Sequence, residues 1–181
     1  LAALEQRVRE SGYGLIVASA NESPREERER LTALLAWRPA GLVIVPCTDE
    51  FRGRSLVTQR RVPFVVMDRI PVSFRGDAVT IDNVDAGRLA ADHLVSLGHR
   101  HVVVAASTLR LRNIRERCEG VRQAFEARGL DAPRIFEVGT DFDPAADALS
   151  AFMAEGQRPT ALLALTAIAT LGILTSLQRR G

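Results

Sequence analysis

No lysine occurs in the sequence, so each of its 24 basic side chains is an arginine. Arginine suits phosphate contacts, but here it is interleaved with acids, as in Arg25-Glu26-Glu27-Arg28-Glu29-Arg30, and such alternation marks a solvated helix face rather than a nucleic-acid surface. The net charge of +2 and a pI near 8.9 are weakly basic and add little to that. Cysteine is almost absent: Cys47 and Cys118 have no third partner and no metal-ligand spacing, which leaves two reduced, packed thiols. Long apolar runs are missing too. Those present are strand-sized and interrupted, so there is no transmembrane candidate, and LAALEQRVRESGY at the N-terminus is a charged amphipathic helix without the apolar region of a signal peptide. A cytoplasmic protein with no membrane partner is expected.

The motifs of catalysis are lacking as well. No G-x-S-x-G occurs, and neither cysteine lies in a recognisable motif with a histidine. His93 belongs to a helix pattern and His99 and His101 flank a helix-strand turn, where capping or packing is the expected role. Gly12-x-Gly14 has no third glycine and precedes a strand pattern, whereas a dinucleotide fingerprint follows one. Asp141, Asp143 and Asp147 lack the glycine and terminal glutamate of an EF-hand, and Asp143-Pro144 reads better as a helix N-cap followed by proline at the first helical position. Neither an enzyme nor a cofactor or metal is expected.

What is present is an ordinary globular balance, 46% apolar and 25% charged over 181 residues, enough to bury a sizeable core. Strand and helix patterns alternate along it. A helix over Leu1–Ser11 closes at Gly12; Gly14–Ser19 reads as a strand buried on both faces; Pro24 opens a helix to about Trp37 with Leu31, Leu34 and Leu35 inward. Gly41–Pro46 is another buried strand, Asp49–Arg60 a looser helix, Pro63–Asp68 a third strand, and Ala78–Ile81 a short extended piece. Asp82-Asn83 then introduces a helix over Val84–Leu97 with an Asn cap. Next come strand Val102–Ala106, helix Ile114–Arg128, strand Arg134–Val138, helix Pro144–Glu155, strand Ala161–Leu165 and helix Ile168–Gln178. The order predicts an α/β protein with parallel sheets and right-handed crossovers.

The stretch around Val102–Ala106 carries the functional signal. An apolar run stops at Ser107-Thr108, and after an arginine-bearing loop a helix starts with Arg115 and Arg117 in its first turns, so cationic and amide groups lie just beyond a strand's carboxyl end, where open α/β sheets bind ligands. LGHRHVVV followed by NIRERCEGVRQAFEARG resembles the effector-binding domain of the lactose repressor (LacI) family of bacterial transcription regulators, and the resemblance runs from Leu4 to Leu177.

The resemblance implies a two-lobed, periplasmic-binding-protein-like (type I) fold, each lobe a mostly parallel sheet flanked by helices. Residues 1–81 would form the N-terminal lobe without its first strand, and 82–181 the C-terminal lobe without its last part. It implies a domain that binds a small effector (sugar, sugar derivative or purine) between the lobes and couples closure to operator affinity. Its implied partners are a second copy, in a homodimer, and operator DNA, through an N-terminal helix-turn-helix absent from this chain. The native polypeptide is accordingly expected to be longer at both ends. A periplasmic sugar-binding protein of a transporter is the competing reading. By motif, Arg117 is the foremost effector contact, with Asn113 and Arg115 beside it, and Arg69 and Thr166 are weaker candidates; the plain alternative for the arginines is a set of helix-surface charges. Loss of Arg117 is expected to abolish binding without unfolding the domain. One departure lies at this site: where many members carry Asn-Asp after the strand, this chain has Thr166-Ala167, which removes polar reach and leaves sugars, sugar acids, sugar phosphates and nucleobases all open.

Overall fold

The computed structural model describes residues 1–154 and 159–180. Two three-stranded sheets, all parallel, organise the chain. The first has the order β1-β2-β3, with β1 Leu42–Ile44, β2 Phe64–Met67 and β3 Ala78–Val79. The second has the order β5-β4-β6, with β4 Val102–Ala106, β5 Arg134–Glu137 and β6 Ala161–Ala164. The helices are α1 Ala2–Glu10, α2 Pro24–Ala36, α3 Arg54–Gln59, α4 Asn83–Ser96, α5 Arg112–Glu126, α6 Phe142–Ala154 and α7 Ala167–Arg180.

The second sheet shows why β4 is apolar throughout. Val102, Val104 and Ala106 pack with Val95 of α4 and with Ile114, Val121 and Phe125 of α5, while Val103 and Ala105 pack on the opposite side with Leu149 and Phe152 of α6 and Ile173 of α7. Helices cover both faces, so every residue of the central strand is buried. Two glycines bring α4 and α5 unusually close: a Cβ on Gly87 would stand 2.0 Å from the carbonyl oxygen of Arg117, and one on Gly120 would stand 1.8 Å from that of Val84.

The first sheet is covered differently. Leu31 and Leu35 of α2, Val57 of α3, Phe51 and Phe74 pack with Ile44 and Val66, whereas Val43 remains 49% exposed. The expectation of a strand buried on both faces therefore holds for neither of the first two candidates. Gly41–Pro46 is strand only over Leu42–Ile44 and is covered on one side. Gly14–Ser19 is not a strand: it runs without regular structure, and Ile16 and Val17 are 60% and 61% exposed. An apolar run becomes a strand only when a neighbour takes its backbone bonds, and none pairs with this one among the described residues.

Smaller differences are local. The cap of α4 is Asp82, whose side chain accepts from the backbone N–H of Asp85, so Asn83 is the first helical residue rather than the cap. Helix α6 starts at Phe142, which places Asp143 and Pro144 inside its first turn, where proline forfeits no intrahelical bond. Helix α3 is shorter than Asp49–Arg60, and Glu155, the expected end of α6, lies outside the described residues.

Candidate functional site

The carboxyl ends of β1, β4 and β5 open onto one cleft of about 740 Å³. Cys47 and Thr48 reach it from β1, Ser107 to Leu111 from β4, and Glu137, Gly139 and Thr140 from β5, with Glu22 and Pro24 at the start of α2 closing another side. Strand ends converge there because parallel strands with helical crossovers all finish at the same edge. The hydroxyls of Thr48, Ser107, Thr108 and Thr140 and the carboxylates of Glu22 and Glu137 stand there among apolar groups, a mixture that suits a small molecule with several polar groups.

Arg69 stands behind this wall. Its guanidinium holds both carboxylate oxygens of Glu22 and reaches the carbonyl oxygen of Pro46, so Glu22 is presented to the cleft by an arginine. Burial works against the charge on Arg69, but the bonds and proximity of Glu22 outweigh it and raise the pKa above the ordinary arginine value. Cys47, beside the cleft, is held as a thiol: burial first, and then the carboxylate of Glu27, push its pKa to about 12. Glu27 is itself buried and accepts the backbone N–H of Cys47 at 2.6 Å.

Arg117 and Asn113 form a second group, at the junction of the two sheets. Arg117 donates from Nε to Asn83 Oδ1 at 3.0 Å and from an amino group to the carbonyl oxygen of Leu165 at 2.8 Å; its other amino group lies 4.0 Å from Asp68. Asn113 donates to Asp68 Oδ2 at 3.2 Å. Asp68 directly follows β2 of the first sheet, in the left-handed region at φ 64°, so these contacts join one sheet to the other. Among the described residues the buried side-chain polar atoms without a partner are Nε of Arg69 and Oδ1 of Asn113.

Arg115 and Thr166 are placed elsewhere. Arg115 binds Asp49 and the carbonyl oxygens of Leu109 and Arg110, and is engaged with protein rather than being a loose surface charge. Thr166 accepts the backbone N–H of Ala169 at 3.2 Å, the bond of a helix cap on α7. None of the five residues singled out by motif is itself part of the cleft lining. Arg69 and Arg115 touch residues that are, through Glu22 and through Leu109 and Arg110. Glu22, Thr48, Asp49, Asp68, Asn83 and Glu137 were not singled out, since isolated acids and amides in loops carry no spacing that distinguishes them from solvated ones. No group of three or more potential metal ligands exists among the described residues, and no helix among them is long and apolar enough to cross a membrane.

The family model for periplasmic binding proteins and the sugar-binding domain of the LacI family matches residues 1–181. The chain belongs to this family. Its fold is accordingly the periplasmic-binding-protein-like one, with parallel sheets flanked by helices. The HTH-type transcriptional regulator PtxS of Pseudomonas putida is 30% identical over 180 residues, which is 98% of this chain and 52% of that protein. The LacI-family member described here thus spans about half the length of the curated relatives it matches. Among solved structures, a putative ribose operon repressor from Burkholderia thailandensis is 28% identical with a TM-score of 0.80, covering 99% of this chain and 67% of that one. The Cra transcriptional dual regulator of Pseudomonas putida, crystallised with fructose 1-phosphate, has a TM-score of 0.88 at 24% identity, covering 99% and 67%, a likeness of fold.

Proposed function

We propose that this chain is the ligand-sensing part of a bacterial transcription regulator, and that it binds a small polar effector (a sugar, a sugar derivative or a purine) between its two sheets. The observation that carries this is the pair of buried, unpartnered polar atoms on Arg69, which follows β2, and on Asn113, in the first turn of the helix after β4, where it bonds Asp68 at the other sheet's carboxyl edge. Each such atom costs about 1–3 kcal/mol unless something pairs with it, and a hydroxylated ligand offers both the acceptor that Arg69 Nε lacks and the donor that Asn113 Oδ1 lacks.

In this reading residues 1–81 and 82–181 are the two lobes, and Arg117 and Asn113, which lie outside the cleft lining in this structure, contact the effector once the lobes close on it. Arg69 presents Glu22 to it, and Arg115 shapes the loop around it. Thr166, the weaker candidate after β6, caps α7 and lies outside the cleft lining. The relatives named as transcriptional regulators support a regulator over a transporter's binding protein. A homodimer, operator binding by a helix-turn-helix outside this chain, a cytoplasmic location and the absence of catalysis belong to the same proposal. The test is a thermal-shift and calorimetric screen of the full-length protein against sugars, sugar acids, sugar phosphates and purines. Ligand at ~100 times its Kd should add ~2.7 kcal/mol of stability; no stabilisation by any class would refute the reading.

A further inference from the structure

We propose that Asp49 is a positioning residue for the cleft: it caps α5 across the gap between the two sheets and, through Arg115, holds the loop 107–111 that forms one wall. Helix α5 has an aliphatic N-cap, Leu111, with no side-chain bond to the helix amides. Its first N–H groups therefore need acceptors from elsewhere. Asp49 supplies one: Oδ1 accepts the backbone N–H of Arg112 at 3.0 Å, from 63 residues away in the sequence and from the loop after β1 of the other sheet. A carboxylate at a helix N-terminus also has the sign that the helix dipole favours.

The second oxygen of Asp49 accepts from Arg115 at 2.7 Å, and the other amino group of Arg115 donates to the carbonyl oxygens of Leu109 and Arg110, both at 2.8 Å. From the far side Glu137 accepts the backbone N–H of Leu109 at 2.8 Å. The turn that lines the cleft is thus gripped at both its carbonyl and its amide groups. Thr48, next to Asp49, lines the same cleft, so one short segment both contributes to the lining and holds the 107–111 turn. The contrast with the other helices is informative: α2 and α4 are capped by Ser23 and Asp82, and α7 has the same bond from Thr166, each a residue immediately before its own helix. An exposed ion pair with no such role would contribute little to either wall.

The effect on ligand rests on the cleft being the effector site; the effect on the loop and helix does not. Hydrogen exchange of the full-length protein tests the second without any ligand. Asp49→Ala should speed exchange at residues 112–114 about tenfold, the usual scale for losing a cap, and loosen 107–111. Asp49→Asn keeps an oxygen for the Arg112 amide but not the charge for Arg115, so it should loosen 107–111 while sparing 112–114, as should Arg115→Ala. Unchanged exchange in both segments for all three variants would overturn the proposal. If Asp49→Ala opens the whole fold, the other two decide: protection of 107–111 equal to wild type in both overturns it. In parallel, calorimetry with D-ribose, D-ribose 5-phosphate and adenine should show any binding weakened about tenfold by Arg115→Ala; no binding by the wild-type protein counts against the effector reading alone.

Discussion

Arg117 donates its Nε proton to Asn83 Oδ1 at 3.0 Å, and Asn83 is only 3% exposed at the start of the neighbouring helix. The contact is possible because Gly87 and Gly120 let α4 and α5 approach until backbone nearly touches backbone. The orientation of the arginine foremost among the effector candidates is therefore set by a helix-helix contact.

Arg117→Ala is expected to lower effector affinity at least ~30-fold, or ~2 kcal/mol. The expectation that stability would be untouched is revised, because the substitution strips the donor from buried Asn83 Oδ1 and from the Leu165 carbonyl; a further ~1–3 kcal/mol of folding stability should go with it. Calorimetry and urea melts measure the two effects separately. Undiminished affinity would leave Arg117 with the structural role alone.

Gly120→Ala puts a methyl group 1.8 Å from the Val84 carbonyl oxygen and 2.8 Å from the Arg88 nitrogen, backbone atoms that cannot rotate away. The helices must separate, and a loss of at least ~2 kcal/mol is expected in denaturant titration. The same change at Gly129, where nothing lies within 4 Å but φ is +65°, carries only the strain of the left-handed backbone, about 1 kcal/mol.

Thr166→Ala removes the acceptor for the Ala169 amide and should cost ~1 kcal/mol of stability, whereas Thr166→Asn, which can still cap, should cost less. If effector affinity is the same in both variants, Thr166 serves α7 and not the ligand.

The cysteines make stability fall on the alkaline side. Burial and then Glu27 raise the Cys47 pKa from 9.0 to about 12, and burial raises that of Cys118 from 9.0 to about 11. Both raised values belong to the folded state, so above pH 9 the unfolded chain releases these protons first. The stabilisation is complete below that pH and is lost as pH rises through the folded values. Urea midpoints should decline between pH 9 and 11 and do so less in a Cys47→Ala, Cys118→Ala double variant; in the native protein neither thiol should be alkylated readily at pH 8.

Much of the second sheet was legible in the order of residues. Val102–Ala106 is apolar at consecutive positions, and the Arg-Glu-Arg-Cys-Glu-Gly pattern at 115–120 has helical spacing, signals that act over a few residues. Capping was less so: Asp82 and Asn83 are both good caps, and which one enters the helix depends on what the other reaches. The sequence by itself determined the α/β alternation and the family, because those follow from local periodicity and contiguous motif. Only the tertiary structure decided that Gly14–Ser19 has no strand partner among the described residues, that Arg69 holds Glu22, that Arg115 belongs to Asp49 and that Thr166 caps α7. Each of the first three depends on a partner, present or absent, outside the local window, 47 and 66 residues away for the two arginines, and hydrogen bonds across such distances leave no period in the chain.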